Sequence, residues 1–300
     1  AKDLFARAGL DYAKLRIAAN KRGFKAVPMK GLKLTATTNS SVSRMKTRNV
    51  IGVVEGAVAP DEYVLYTAHW DHIGYKKDVP GDDKIHNGAV DNATGIATML
   101  EVAEAFAKAP KPPRRSVIFN AVTLEEQGLL GSAFYAQYPT VPLNKIVAGM
   151  NIDGELPQGE TRDLVVVGSG ASEVEQVLAK VLKQRNMRAE PDPEPEKGSF
   201  YRSDHISLAK VGVPMLYAGG GVDLVVGGEK QGQANRDAYR LKDYHQPSDE
   251  YADTWDVSGP VQTTQILYEV GRDIADGDKW PTWYKGNEFY SVRQKSLRAR

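Results

Sequence analysis

The sequence predicts an α/β fold, a single three-layer domain in which helices cover both faces of a mostly parallel, mixed central sheet. Short apolar segments of strand length alternate with helical segments of ten or more residues over most of the 300-residue chain. Such alternation is typical of parallel strands that are joined by helices. The longest apolar runs, such as residues 164–167, are strand-sized, whereas a membrane-spanning helix needs about 18 apolar residues. We therefore expect no transmembrane segment.

The N-terminal elements are predicted from local patterns. Apolar residues at helical spacing predict a helix over residues 11–22, and Gly23 is typical of the position after a helix end. Residues 32–43 and 49–58 are predicted to be strands, the first from its partial alternation of apolar and polar residues.

The remaining elements form the repeating strand–helix order. Three prolines directly follow the helix predicted over residues 91–109 and end it, because proline cannot continue a helix. The other predicted strands are 63–68, 116–123, 146–152, 164–167 and 213–218, and the other predicted helices are 126–138, 172–188 and 257–275.

Composition excludes several classes of function. The chain has 39 Lys and Arg against 38 Asp and Glu, a formal charge of +1, which argues against a dedicated nucleic-acid binder. Cysteine is absent, which excludes a disulfide framework, an iron–sulfur centre and a thiol nucleophile. The first twenty residues carry charges throughout, so we expect no signal peptide within the chain and interpret it as a processed or truncated form.

Polar clusters follow the predicted strands. Residues 69–72 (HWDH) follow one strand, Glu125 and Glu126 follow the next, and Asp153 follows a third, while Asp91 stands at the start of a helix. The carboxyl ends of parallel strands share one edge of the sheet, where ligands bind. Acids and imidazoles gathered there need a cation, or each other, to offset their charge and desolvation. A His, Asp and Glu set without cysteine suits Zn²⁺, and less well Mn²⁺ or Co²⁺.

A structural role is the alternative for single acids of this set. Asp91 is well placed to cap the helix that follows it. Glu126 would lie in the first turn of its predicted helix, where negative charge is favoured.

Five sequence motifs occur in order along the chain. They are His69–Gly74 (HWDHIG), Asn87–Gly95 (NGAVDNATG), Glu125–Ser132 (EEQGLLGS), Asn151–Asp153 (NID) and Tyr244–Asp249 (YHQPSD). Together they resemble the M28 family of zinc metallopeptidases, the co-catalytic aminopeptidases. The resemblance covers about residues 50–270 and implies the zinc-peptidase (phosphorylase/hydrolase-like) type of the predicted fold. In addition, residues 5–11 resemble the stretch that follows an inserted protease-associated domain in some exported members, and that domain is missing from these 300 residues.

The resemblance implies two zinc ions and assigns their ligands. His69 and Asp153 would bind one ion, Glu126 and His245 the other, and the carboxylate of Asp91 would bridge the two.

The resemblance also assigns residues around the ligands. Asp71 matches the acid that accepts the free N–H of the ligand imidazole, and Glu125 matches the general base. Tyr244 matches a phenol that donates to the oxyanion of the tetrahedral intermediate. Because Tyr244 stands beside His245, as the family's oxyanion donor stands beside its last ligand, we assign His245 to the metal. His205 is expected near the ligands or in the cleft.

Two other histidines receive no role at this stage. No family role falls on His72 or His86, so we expect both to be exposed loop residues. The loops at residues 199–202 and 219–226 are expected to build the specificity pocket.

The implied function is a metal-dependent exopeptidase that hydrolyses the N-terminal residue from peptides, through a zinc-activated water and a glutamate base. A glutaminyl cyclase on the same fold is an alternative, as is a carboxypeptidase in which Arg202 would face the substrate carboxylate. A non-catalytic interaction domain is disfavoured, because the implied ligands and base are all present. The expected partner is a peptide substrate, and the oligomeric state is left open.

The expected domain organisation has three parts. Residues 1–48 form an N-terminal helix and strand segment that packs on the catalytic domain, residues 49–279 form the M28-like catalytic domain, and residues 280–300 form a C-terminal tail. Whether this tail docks or frays is left open. Resemblance to exported members, with the absence of an initiator Met and of cysteine, favours a periplasmic or secreted location.

Overall fold

A computed structural model of the chain describes residues 1–298. The described chain divides into two compact units, residues 1–46 and a second unit that begins at Thr47. Residues 299 and 300 of the predicted tail lie outside the described residues.

The first unit contains two short helices, α1 (Lys2–Arg7) and α2 (Tyr12–Ala19). The side chain of Asp11 accepts a hydrogen bond from the backbone N–H of Lys14 at 3.0 Å and thereby caps α2. The strand predicted over residues 32–43 is wrong, because this segment has no regular secondary structure and buries no side chain. A strand becomes stable when a neighbour pairs with its backbone and one face is buried. Among residues 1–46 neither condition is met.

A seven-stranded mixed sheet forms the centre of the second unit. The strands, in chain order, are β1 (Val50–Val54), β2 (Ala59–His69), β3 (Gly74–Tyr75), β4 (Ile85–His86), β5 (Arg115–Val122), β6 (Ile146–Asn151), β7 (Asp163–Val166), β8 (Arg188–Pro191) and β9 (Met215–Gly220). The order in the sheet is β1-β5-β2-β6-β9-β7-β8, and β3 and β4 form a separate hairpin. The central strands β5, β2, β6 and β9 are parallel, whereas β1 and β7 run antiparallel to their neighbours β5 and β9. The predicted fold class is confirmed.

Helices cover this sheet on two sides. They are α3 (Gly95–Ala107), α4 (Leu130–Gln137), α5 (Val174–Gln184), α6 (His205–Lys210), α7 (Gly228–Lys242), α8 (Ser258–Asp276) and α9 (Tyr290–Arg298). The sequence did not predict α7 or α9. Within residues 1–298 there is no helix that is long and apolar enough to cross a membrane.

The core lies on both faces of the sheet. Along β2, Val64 and Tyr66 pack in a cluster with Met99 of α3 and with residues of α5 and α8. Leu65, which points to the opposite face, packs in a second cluster with Ile206 of α6 and with residues of α4 and the C-terminal segment. This alternation is the two-residue period of a strand that is buried on both faces.

The C-terminal segment is part of the second unit and docks on the domain. Trp283 is fully buried, and its indole N–H donates to the carbonyl of Gly212 at 3.2 Å. Arg293 of α9 is also fully buried and donates to the carbonyls of Ile146 at 3.0 Å and Val147 at 2.8 Å. The sequence left open whether this tail docks or frays, and residues 280–298 dock on the domain.

Two predicted helix starts are wrong. Helix α3 begins at Gly95 and its N-cap position is Thr94, so Asp91 does not cap it. Asp91 and Asn92, ahead of the helix, have non-helical backbone angles. Helix α4 begins at Leu130, so Glu126 lies in the turn before the helix and not in its first turn. In both places the chain bends ahead of the helix, which leaves these acids free to point toward the edge of the sheet.

Candidate metal centre

The candidate site lies at the carboxyl ends of the central strands. His69 is the last residue of β2, Asp153 comes two residues after β6, and Glu125 and Glu126 come shortly after β5. Asp91 precedes α3 and His245 follows α7. The parallel arrangement of β5, β2 and β6 thus gathers side chains that are far apart in sequence at one edge of the sheet.

A first group of donors surrounds His69. Its Nε2 atom lies 3.2 Å from Oδ1 of Asp91 and 3.3 Å from Oδ1 of Asp153. The other oxygen of Asp153 accepts a hydrogen bond from the hydroxyl of Ser203 at 2.5 Å. This bond fixes the carboxylate, so that Oδ1 stays directed at the imidazole.

A second group of donors surrounds His245. Its Nε2 atom lies 3.1 Å from Oδ2 of Asp91 and 3.3 Å from Oε2 of Glu126. Asp91 therefore directs one oxygen to each group, which is the arrangement of a bridging carboxylate.

The donors of both groups fit a pair of divalent cations. Zinc binds nitrogen and oxygen ligands at about 2.0–2.1 Å, so two ligands of one tetrahedral ion lie about 3.3 Å apart. The four separations above are 3.1–3.3 Å. In addition, the largely buried carboxylates of Asp91, Glu126 and Asp153 lie together and repel one another unless positive charge is present.

Asp249 holds the loop that carries Asp91. Its two carboxylate oxygens accept the backbone N–H groups of Val90 at 2.9 Å and Asp91 at 3.1 Å. The hydroxyl of Tyr239 on α7 donates to the same carboxylate at 3.2 Å. The sequence motif contained Asp249 but gave it no role.

The contact of Asp71 differs from the expected one. Nδ1 of His69 donates to the backbone carbonyl of Asp71 at 3.0 Å, and the nearest carboxylate oxygen is 3.9 Å away. The carboxylate instead accepts the backbone N–H groups of Glu125 at 3.1 Å and Glu126 at 3.4 Å. Asp71 thus fixes the tautomer of His69 with its main chain, leaving Nε2 free as the donor atom, and uses its side chain to position the two glutamates.

Glu125 lines a cavity beside the two donor groups. Burial of this side chain, followed by the negative charge of Asp153, raises its pKa to about 9. A cation next to Asp153 would offset the effect of the Asp153 charge on the pKa of Glu125. A general base must be ionised to accept a proton, so the base role of Glu125 depends on that cation.

The cavity has a volume of about 420 Å³. Both loops that were expected to build the specificity pocket contribute to it, through Ser199 and Arg202 and through residues 219–221. Tyr244 lines the cavity as well, and its ring stacks on the imidazole of His245 with centroids 3.9 Å apart. Burial and the charge of Asp91 raise the pKa of the Tyr244 phenol, so it keeps its proton and is able to donate it in a hydrogen bond.

His205 is not a member of either donor group. It is fully buried, and its ring contacts those of Phe200 and Tyr217 with centroid distances of 4.9 and 5.0 Å. Tyr217 lines the cavity. His205 therefore supports the wall of the cleft from behind.

The prediction that His72 and His86 are exposed loop residues is wrong. His86 is 4% exposed, because it lies in the β3–β4 hairpin with its Nδ1 atom 3.2 Å from the carbonyl of Gly74. The side chain of His72 is 6% exposed, and its Nδ1 atom lies 2.6 Å from Oε1 of Glu126. The available signal was position: His72 follows His69 by three residues in the loop that leaves the same buried strand.

Comparison with known proteins identifies the family. The profile of peptidase family M28 matches residues 49–269, which is more than half of the chain. The chain belongs to peptidase family M28. The residues of both donor groups described above lie within the matched range.

Curated relatives resemble this M28 chain over a limited segment. A glutamate carboxypeptidase 2 homolog from Caenorhabditis briggsae is 33% identical over 128 residues, which cover 41% of this chain and 15% of the relative. Aminopeptidase NAALADL1 from Mus musculus is 32% identical over 128 residues, 41% of this chain and 16% of the relative. A probable zinc metalloprotease from Pyricularia oryzae is 33% identical over 140 residues, 43% of this chain and 26% of the relative. The matched segment thus spans about a quarter or less of these relatives.

Solved structures of M28 type share the fold. A zinc aminopeptidase from Bacillus subtilis superposes with a TM-score of 0.56 at 19% identity, covering 81% of this chain and 53% of that one. A leucine aminopeptidase precursor from Bacteroides thetaiotaomicron superposes with a TM-score of 0.55 at 16% identity, covering 78% of each chain.

Proposed function

We propose that this M28 member is a two-zinc aminopeptidase, an enzyme that removes the N-terminal residue from peptides. The carboxylate of Asp91 carries this proposal, because each of its oxygens lies within 3.2 Å of the imidazole nitrogen of a different histidine. His69 and Asp153 would hold one ion with Asp91, and Glu126 and His245 the other. Nitrogen and oxygen donors without sulfur are the ligands of a hydrolytic zinc centre.

The chain's own residues would divide the chemistry between them. When bound, zinc acts as a Lewis acid that polarises a carbonyl and lowers the pKa of water. Glu125 takes the proton from the attacking water and delivers it to the amine that leaves, which is general base and then general acid catalysis. The Tyr244 hydroxyl donates a hydrogen bond to the oxyanion of the tetrahedral intermediate.

The charge in the cavity favours a substrate ammonium group. Four acids line it, and two of them, Asp91 and Asp153, belong to the donor groups. The basic lining residues Lys197, Arg202, Arg236 and Arg240 do not, so the part of the lining at the donor groups is acidic. The free amino group of an N-terminal residue is complementary to this charge, whereas an acylated N-terminus is not.

A carboxypeptidase is the second candidate. Arg202 and Arg236 also line the cavity, and neither forms an ion pair with another residue of the described chain. A cationic group of this kind is able to bind a substrate carboxylate.

A substrate panel separates these candidates. Purified zinc-loaded protein should hydrolyse aminoacyl anilides and unblocked dipeptides, and it should be inactive on the same compounds after N-acetylation. Cleavage of N-acetylated peptides from the C-terminus would favour the carboxypeptidase instead. Ammonia release from a glutaminyl peptide without cleavage would favour a cyclase.

The base assignment has its own test. Glu125→Gln should lower kcat by about 10²–10⁴-fold, because the general base is lost. The variant should retain two zinc ions per chain, as measured by atomic absorption after gel filtration. Glu173→Gln, at an acid that lies outside the cavity lining, provides the control. Unchanged turnover of the Glu125→Gln variant would show that another group is the base.

A further inference from the structure

His72 is a buried imidazole with no assigned function. Its side chain is 6% exposed, and its Nδ1 atom lies 2.6 Å from Oε1 of Glu126, whose side chain is also 6% exposed. Apart from this close contact, neither ring nitrogen of His72 nor Oε1 of Glu126 has a hydrogen-bond partner within residues 1–298. Buried polar atoms in native proteins are almost always paired, because a buried atom without a partner costs about 1–3 kcal/mol. Nδ1 of His72 and Oε1 of Glu126 thus have only each other as partners, an arrangement that a cation bound by both atoms would satisfy.

The surroundings of His72 indicate which partner fits. Donor atoms of His72, Asp91 and Glu126 all lie within 4.8 Å of one another. The ring of His72 lies 5.7 Å from that of His245, so two imidazoles flank the same pair of carboxylates. Two carboxylates and two imidazoles supply four nitrogen and oxygen ligands, which is the number that a tetrahedral zinc ion binds.

The fold reserves space for this imidazole. A Cβ atom at Gly88 would lie 2.5 Å from Cγ of His72, closer than nonbonded carbon atoms approach. Gly88 has φ of 68°, in the left-handed region, and leads directly into the loop that carries Asp91. The glycine thus lets the ring of His72 approach Asp91 and Glu126.

We propose that His72 is a ligand of the zinc ion that Glu126 and His245 bind, a role that no motif of the sequence assigned to it. This inference rests on the metal-binding part of the proposed function. The ion would then have four protein ligands, namely His72, Asp91, Glu126 and His245. The ion at His69 would have three, because among the described residues its donor group holds only Asp91 and Asp153 besides this histidine.

The two positions would consequently differ in function. Zinc with four protein ligands is typical of structural sites, whereas catalytic zinc has three protein ligands and one open position. The His69 position, with three protein ligands, would keep one position open, and the His72 position, with four, would bind its ion more tightly.

Counting coordinated imidazoles in the unaltered protein tests this inference. The chain has five histidines, of which His86 and His205 lie outside both donor groups. We would label histidine with ¹⁵N, load the protein with ¹¹³Cd and record nitrogen–cadmium couplings by NMR. Three coupled imidazoles are expected. Two coupled imidazoles with two bound ions would overturn the proposal and leave His72 as an ion-pair partner of Glu126.

A ligand replacement gives an independent readout. The chain has no cysteine, so His72→Cys introduces its only thiol. A Zn–S bond is about 0.3 Å longer than a Zn–N bond, which compensates for the shorter side chain. With Co²⁺ bound, this variant should show a sulfur-to-cobalt charge-transfer band in the near ultraviolet. The control is His86→Cys, at a buried histidine outside the donor groups, which should show no band. A folded, cobalt-loaded His72→Cys protein without the band would contradict the proposal.

A third variant measures affinity. His72→Phe keeps an aromatic ring but removes the donor, and it should weaken the binding of one of the two ions by roughly 100-fold or more in competition with a chelator. Affinities equal to those of the unaltered protein for both ions would overturn the assignment. None of these readouts depends on peptidase activity, so a protein that binds two ions through His72 but cleaves no peptide would refute the proposed function alone.

Discussion

At Asp91 the two oxygens of one carboxylate reach different histidines, 3.2 Å to His69 and 3.1 Å to His245. An asparagine at this position would keep one oxygen and replace the other with an NH₂ group, which donates hydrogen bonds and does not bind a cation. If each oxygen of Asp91 binds a different ion, replacing one oxygen removes a ligand atom from one of the two ions.

We predict that Asp91→Asn lowers the zinc content from two ions per chain to about one. Elemental analysis after dialysis against a weak chelator measures this directly. Asp253→Asn, at an exposed acid, serves as the control and should retain two ions. If the Asp91→Asn protein also retained two ions, Asp91 would not be the bridge.

His205 leads to a prediction about pH. Its complete burial lowers the pKa of the imidazole to about 4, whereas the unfolded chain has the usual value near 6.5. Between these values the unfolded state binds more protons, so the free energy of unfolding falls as the pH decreases from 6.5 to 4. At about 1.4 kcal/mol per pKa unit, His205 contributes roughly 3 kcal/mol to this loss.

Replacing His205 with phenylalanine should reduce this pH dependence. Denaturant unfolding of both proteins at pH 7, 6, 5 and 4 gives the comparison, and the unaltered protein should lose roughly 3 kcal/mol of unfolding free energy relative to the variant as the pH falls. A constant difference would mean that His205 does not titrate in this range.

The site could be predicted in part from residue types and in part from the resemblance to the M28 family. The sequence placed His69, Asp91, Glu126, Asp153 and His245 in one cluster, and the structure brings these five together. His72 was missed because a histidine in a polar loop is ordinarily exposed. Its burial depends on the contact with Glu126 and on the absence of a side chain at Gly88, which are tertiary features.

Among the elements, the buried strands were the easiest to predict. Residues 63–68 and 146–152 are almost entirely apolar and correspond to the buried parts of β2 and β6. Helix α7 was missed because its sequence has no apolar stripe, and only Gly232 of its fifteen residues is buried.

Helix α4 begins later than predicted because the backbone N–H groups of Gly128 and Leu129 bond to the carbonyl of Glu125 and form a turn there. Periodicity does not reveal such a turn.

Helix α9 supports a prediction at this scale. The guanidinium of Arg293 donates to the carbonyls of Ile146 and Val147, where β6 begins. Arg293→Ala would leave both buried carbonyls without these donors, at about 1–3 kcal/mol for each unsatisfied group. We therefore expect a Tm that is several degrees lower than that of the unaltered protein, measured by circular dichroism.

Lys295→Ala on the same helix is the matched control and should leave Tm nearly unchanged, because Lys295 forms no ion pair among the described residues and lies at the helix surface. Equal melting of the Arg293→Ala and Lys295→Ala proteins would show that the docking of α9 adds little to stability.

Over the whole molecule, bound metal should be a major source of stability. The carboxylates of Asp91, Glu126 and Asp153 are largely buried at one edge of the sheet, and their repulsion is relieved only when positive charge is present. A ligand that binds the folded state at 1,000 times its Kd adds about 4 kcal/mol to the free energy of unfolding.

We accordingly expect chelation to lower Tm by several degrees and zinc to restore it. Differential scanning calorimetry of the chelated, the zinc-loaded and the reconstituted protein measures both steps. Magnesium, which retains its water and prefers an all-oxygen octahedral shell, is the control and should restore little. A chelated protein that melts at the same temperature as the loaded one would contradict the prediction.

The contact between Asp249 and the Asp91 loop affects how the protein matures during synthesis. The two residues are 158 positions apart, and His245 lies only four residues before Asp249. A chain emerging from the ribosome at about 5–20 residues per second exposes His69 and Asp91 well before these two partners. During that interval Asp91 is present without His245, its later neighbour, and without Asp249, which fixes its loop. We therefore expect zinc uptake to be a late event, and a product that stops before about residue 250 should be unable to capture both ions.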